Sequence, residues 1–232
     1  MTDVTIRAAD GGSFMGYVAL PSAGKGPGVV VIQEIFGVNA VMRAIADGLA
    51  TQGYVALCPD LFWRQQPGIQ LTDKTDAEWA RAFELYKGFN EEKGVDDLKS
   101  AIATLRADKR CSRKIGTVGF CLGGKLAYLT ATRTDADCAV GYYGVGIENA
   151  LGEAANIKKP LMLHIAEKDQ YCPAEAQAKI KASLAGNARV TLHHYAGMDH
   201  AFARVGGQHY DKAAADLANS RTAAFFKANL AG

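Results

Sequence analysis

Short runs of consecutive apolar residues alternate along this chain with longer stretches of helical period, the rhythm of an α/β fold. Val29-Val30-Val31-Ile32 is apolar at every position, as a strand covered on both faces can be. Val38 to Thr51 then carries a helical period, with Asn39 near its start and Gly53 just past its end. Tyr54 to Cys58 is a second buried strand, closed by Pro59-Asp60. Two helices are expected over Asp76 to Phe89 and Gly94 to Ala107, broken around Gly88 and Asn90. Lys114 to Gly119 is a strand that feeds directly into a helix over Leu122 to Thr132. Cys138 to Tyr143, Pro160 to Ala166 and Val190 to Tyr195 are further strands. Pro173 to Leu184 and the alanine-rich Tyr210 to Asn229 are helices. An opening strand pair, Val4 to Arg7 and Phe14 to Leu20, meets at the hairpin signal Asp10-Gly11-Gly12. Phe62 to Thr75 has no clear period and reads as a loop.

No repeat or linker interrupts the pattern, so a single domain over 1–232 is expected. Apolar residues make up 49% and charged residues 22%, which excludes disorder. No run approaches the roughly 18 apolar residues of a membrane span. A net charge of +2 predicts neither a nucleic-acid footprint nor a membrane-surface one. The first residues show no basic region followed by an apolar core, so no secretory signal is expected. Five cysteines without a CxxC spacing favour neither a disulfide framework nor a zinc site. These features point to a cytoplasmic protein with free thiols, no metal and no cofactor.

In sheets of this kind, chemistry gathers beyond the carboxyl ends of the strands. Gly119-Phe120-Cys121-Leu122-Gly123 lies at such an end, between a strand and a helix. It is the setting of a nucleophile elbow, with cysteine where serine is usual. The turn lifts the sulfur to the positive end of a helix, which favours a thiolate, and aims the Leu122 N–H where an oxyanion would form. A packed structural thiol is the alternative.

A thiol nucleophile needs a base, and the base needs an orienting acid. In hydrolases of this topology they follow the nucleophile in the order acid, then histidine. Asp169 comes just after the strand ending near Ala166, and His200 just after the last strand. Asp169 could instead cap the next helix, with Glu167 as the acid. Asp199 is a weak candidate for that role. His164 reads as core, at least one of His193 and His194 faces away, and His209 reads as surface. Cys58 reads as a buried thiol, and Cys111, Cys138 and Cys172 carry no signal.

Five stretches give the chain a wider resemblance: Gln33-Glu34-Ile35-Phe36-Gly37-Val38-Asn39, Cys58-Pro59-Asp60-Leu61, Gly119-Phe120-Cys121-Leu122-Gly123-Gly124, Gly141-Tyr142-Tyr143-Gly144-Val145-Gly146 and His200-Ala201-Phe202-Ala203-Arg204. In that order they resemble the dienelactone hydrolases (carboxymethylenebutenolidases), with an α/β-hydrolase fold. The resemblance implies a mostly parallel twisted sheet of about eight strands with helices on both faces. It implies a Cys121–His200–Asp169 triad that opens an enol-lactone such as dienelactone to maleylacetate through a cysteine thioester. It adds Glu34, which takes part in thiol activation in the family; as a residue alone it would read as a helix-start carboxylate. Backbone N–H groups of Ile35 and Leu122 would form the oxyanion hole.

Arg204 matches the family's substrate-binding arginine, with a surface arginine as the alternative. Trp79 falls at the position of a second arginine, and Arg81 lies two residues on, about 200° around a helix. Trp79 would then supply an apolar wall, and Phe36 and Tyr143 would line the pocket or simply pack the core. The departure at Trp79 motivates a second reading, a broader cysteine-dependent carboxylesterase or lactonase. A third is a non-catalytic redox sensor built on Cys121. The expected partner is a small lactone or ester, on a monomeric chain, with no nucleic acid and no membrane.

Overall fold

The computed structural model describes residues 2–231; Met1 and Gly232, at the ends of the expected domain, lie outside them. Eight strands form a sheet in the order β1-β2-β4-β3-β5-β6-β7-β8, mostly parallel, as anticipated. The chain divides into two compact units, one of residues up to Ile115 and the other Gly116–Ala231. Among the described residues, no helix is long and apolar enough to cross a membrane.

In the first unit, β1 (Thr2–Arg7) and β2 (Ser13–Ala19) form the antiparallel hairpin, with Arg7 opposite Ser13. Its turn has Gly11 at φ +97°, a conformation that costs glycine little. β3 (Gly26–Ile32) runs parallel to β4 (Val55–Pro59), and β4 is antiparallel to β2. Helix α1 (Ala40–Thr51) is capped by Asn39, whose side chain accepts from the Met42 N–H. Met42, Ala46, Leu49 and Ala50 form its buried stripe.

Helix α2 spans Asp76–Lys87, and α3 (Glu91–Ala107) begins three residues ahead of the expected Gly94. The Asn90 side chain accepts from the Lys93 N–H, and Glu91 and Glu92 sit at the positive end of the helix. The 62–75 segment lacks a period but is tied down. Asp60 accepts from the N–H groups of Phe62 (3.0 Å) and Gly68 (2.7 Å).

The second unit takes up β5 (Cys111–Phe120) at Gly116. It continues through α4 (Leu122–Arg133), β6 (Cys138–Tyr142), β7 (Leu161–Ala166), α5 (Ala174–Leu184), β8 (Val190–Tyr195) and α6 (Lys212–Leu230). A 3-10 helix at Ile147–Asn156, which the apolar pattern did not announce, follows β6. β5, β6, β7 and β8 pair in parallel. Every residue of β6 and β7 is buried, whereas β8 is mostly part-exposed. Burial of a side chain such as Val140 or Leu161 contributes about 1.5–3 kcal/mol, so these apolar strands hold the register. Parallel pairing brings the carboxyl ends of β5, β7 and β8 to one edge, where Cys121, Asp169 and His200 follow.

Candidate functional site

Cys121 sits between β5 and α4 with φ +57° and ψ −116°, a backbone that non-glycine residues rarely hold. Two glycines allow the turn to close. A Cβ on Gly119 would strike the backbone of Gly123, and one on Gly124 would strike the Tyr142 carbonyl. The Cys121 N–H donates to that carbonyl at 3.1 Å, fixing the turn to the end of β6. Cys121 occupies the N-cap position of α4, and its side chain caps nothing, which leaves the sulfur to other partners at the positive helix end. Among the described residues four non-glycine residues have positive φ, and three of them (Cys121, Tyr143 and Ala201) are candidate site residues or their neighbours.

Asp169 and His200 are both buried, and the His200 Nδ1–H donates to Asp169 Oδ2 at 2.8 Å. The other oxygen, Oδ1, accepts from the Tyr171 N–H at 2.8 Å, so the carboxylate is held from both sides. The rivals are engaged elsewhere. Glu167 Oε2 accepts from the Gly197 N–H, and Asp199 Oδ1 accepts from the backbone N–H of His200. Burial works against an imidazolium at His200. It is outweighed by the charge of the Cys121 sulfur, by hydrogen bonds to Asp169 and Cys121, and by the Asp169 charge, so the pKa is pushed up to about 10. The arrangement favours an imidazolium beside the sulfur, with the carboxylate behind it, which suits attack on an activated carbonyl.

Aromatic rings enclose the imidazole. Tyr143 stands edge-on to it with ring centroids 5.1 Å apart, and Tyr171 does the same at 4.9 Å. Phe202 packs on Tyr143 at 5.6 Å. Tyr171 was missed in the sequence, although its place two residues after a candidate acid was a usable signal. Burial raises its phenol pKa, and the charges of Cys121 and Asp169 act the same way, while Arg204 opposes them. Arg204 is thus close enough to this ring to be felt, and it is buried rather than a surface arginine. His164 is core as expected, and His209 is exposed, with Nδ1 3.7 Å from Asp199.

The remaining expected residues belong to the first unit. Glu34, Ile35 and Phe36 are buried in the segment after β3. The Phe36 ring meets Trp79 edge-on at 4.9 Å, and Trp79 stacks on Phe83 at 5.6 Å. Trp79 Nε1–H donates to the Asp73 carbonyl at 3.2 Å. The Arg81 guanidinium donates to Glu84 at 2.5 Å and to Gln66 at 2.6 Å.

Residues 14–230 match the family described as the dienelactone hydrolase family. A protein of Azospirillum brasilense is 53% identical over 99% of this chain and 100% of its own length. A carboxymethylenebutenolidase of Pseudomonas sp. strain P51 is 40% identical over 97% of this chain and 94% of its own. A crystal structure from Klebsiella pneumoniae superposes with a TM-score of 0.85 at 26% identity, covering 97% of both chains.

Proposed function

Because the chain belongs to the dienelactone hydrolase family, we propose that it is a carboxymethylenebutenolidase that opens an enol-lactone such as dienelactone, giving maleylacetate, with Cys121 as nucleophile, His200 as base and Asp169 as its orienter. The observation that carries the triad is the buried 2.8 Å bond from His200 to Asp169, beside a cysteine held at φ +57° on a helix start. The reading takes 1–232 as one catalytic domain, which a single family match over 14–230 supports.

The Cys121 thiolate adds to the lactone carbonyl, and the Leu122 N–H receives the oxyanion. Collapse of the tetrahedral intermediate breaks the ring C–O bond; the enolate leaves and is protonated by the His200 imidazolium, giving a thioester and a neutral His200. His200 then takes a proton from water, the hydroxide adds to the thioester, and the thiolate is expelled. Asp169 favours the imidazolium that forms at that step. An enolate leaves without full protonation, so enol esters react faster than alkyl esters or amides.

Arg204 is assigned to the substrate carboxylate, supported by its burial and its closeness to Tyr171. Roles for Glu34 in thiol activation, Ile35 as second oxyanion donor, and Phe36, Trp79 and Arg81 toward substrate rest on the family motifs alone. The pairing of Arg81 with Glu84 and Gln66 favours a second reading, a broader esterase that needs only one cationic contact.

Turnover of cis- and trans-dienelactone against a neutral enol ester, repeated with Arg204→Ala and Cys121→Ser, decides between them. Under the first reading, Arg204→Ala selectively impairs the dienelactones; equal loss on both substrates defeats the carboxylate contact. Cys121→Ser is expected to lose most activity, since a hydroxyl needs stronger base assistance than a thiol of ordinary pKa about 8.5. Full activity in that variant overturns the thiolate mechanism.

A further inference from the structure

Behind the site, the second unit buries a set of polar groups that the reaction does not use. His164, at the centre of β7, has Nδ1 2.7 Å from the Tyr195 hydroxyl and Nε2 3.0 Å from Thr222 Oγ1. Arg221 Nη1–H donates to the Tyr195 oxygen at 3.2 Å. Thr222 Oγ1 is also 2.6 Å from the Tyr142 hydroxyl, which donates to Asn219 Oδ1 at 3.0 Å. His164, Tyr142, Tyr195 and Thr222 are all buried.

For a neutral imidazole, donor and acceptor rules allow these contacts one order, fixed from the Asn219 end. Asn219 Oδ1 can only accept, so Tyr142 spends its proton there. Thr222 must then give its proton to Tyr142, and so receives from His164 Nε2–H. The neutral ring is left with a bare Nδ1, which takes the Tyr195 proton. Arg221, which has no lone pair to offer, donates to the Tyr195 oxygen. The hydrogen bonds thus run in one direction from a cation to an amide oxygen, and each hydroxyl both gives and receives.

This set touches the reacting groups through the main chain. The Tyr142 carbonyl receives the Cys121 N–H at 3.1 Å, and the His164 carbonyl receives the Tyr143 N–H at 2.8 Å. Tyr143 is held at φ +37° with its ring edge-on to His200. Displacing the Tyr142 side chain therefore disturbs both the thiol turn and the wall of the imidazole.

We infer that His164 is a positioning residue, locked as the Nε2–H tautomer by the directed chain Arg221–Tyr195–His164–Thr222–Tyr142–Asn219, which fixes the Tyr142–Tyr143 segment under Cys121 and His200. The positioning half rests on Cys121 being the nucleophile; the tautomer half does not. Burial, with smaller contributions from His193 and Arg221, also pulls the His164 pKa down, in keeping with a neutral ring.

Two measurements test it on the intact protein. Long-range proton–nitrogen NMR of the histidines should show His164 neutral with its proton on Nε2 between about pH 5 and 9. A proton on Nδ1, or titration near the ordinary histidine midpoint, overturns the chain. Thr222→Val should lower kcat about tenfold with KM within about twofold, short of the hundredfold a 1 Å misplacement can cost. Thr222→Ser, which keeps the hydroxyl, should restore the rate. The iodoacetamide labelling rate at Cys121 should follow the same order and needs no substrate. Unchanged kcat and labelling in a folded Thr222→Val, or no rescue by serine at equal Tm, overturns the positioning role. A protein that hydrolyses no lactone while His164 shows the expected tautomer defeats the hydrolase reading alone.

Discussion

Asp169 receives the His200 Nδ1–H at 2.8 Å while its second oxygen is occupied by the Tyr171 N–H, so the carboxylate has little freedom to turn away. Asparagine at 169 would keep the shape and remove the charge that favours the imidazolium. We expect Asp169→Asn to lower kcat/KM by about 10²–10⁴-fold, the scale on which loss of an orienting carboxylate acts. The His200 midpoint, followed by NMR, should fall toward the ordinary histidine value. Activity within twofold of the parent would remove Asp169 from the mechanism.

Stability should fall as pH drops below the ordinary histidine value of about 6.5, because buried His164 stays neutral in the native state. His164 is pulled down to about 3, with His193 and His194 shifted the same way. Between 6.5 and 3 the unfolded chain binds the proton that native His164 refuses, so stability drops as pH falls. Each fully buried group supplies a slope of about 1.4 kcal/mol per pH unit within its window. Urea unfolding at about pH 5 and 6.5 should show that loss in the parent, and His164→Gln should flatten it.

The places of Cys121, Asp169 and His200 were legible because each lies on a short loop directly after a strand, where strand ends and loop residues are read from local pattern. The 3-10 helix at Ile147–Asn156 was not, since its apolar spacing is too short to separate from a turn. The early start of α3 turned on one side chain, Asn90, rather than on any period. The hydrogen-bond chain through His164 was hidden for a different reason. Its members come from β6, β7, β8 and α6, up to 80 residues apart, and only the packed strands bring them together. His164 could be read as buried, but not as directed.

Two glycine substitutions should move stability in opposite directions. At Gly119 an added methyl meets the Gly123 backbone, which has no rotamer with which to yield. Gly119→Ala is expected to cost about 1–3 kcal/mol or more. Gly48 lies inside α1, with nothing within 4 Å of where a Cβ would sit. There Gly48→Ala should stabilise by about 0.4–1 kcal/mol, chiefly by restricting the unfolded chain. Thermal melts read both, at about 2–4 °C per kcal/mol for a chain of this size. A Gly119→Ala protein melting with the parent would mean the turn can open in a way its geometry does not provide.

Selective alkylation offers a test of the sulfur that uses no substrate. None of the five cysteines is in a disulfide, and all are buried. Burial pushes the Cys58 thiol up strongly, the Cys172 thiol up to about 12, and the Cys111 thiol up as well. For Cys58 and Cys172, nearby acidic charge from Asp60 and Asp169 adds to the effect. Thiolates carry the reactivity, so these three should stay silent toward iodoacetamide in the native protein, and Cys138, fully packed in β6, is out of the reagent's reach. Cys121 hydrogen-bonds the His200 imidazole at the start of a helix. Mass spectrometry of the native protein should therefore find one modified site, Cys121, and total loss of hydrolysis at one equivalent bound. Labelling first at Cys58 or Cys172, or a singly labelled enzyme that still turns over, would place the reactive sulfur elsewhere.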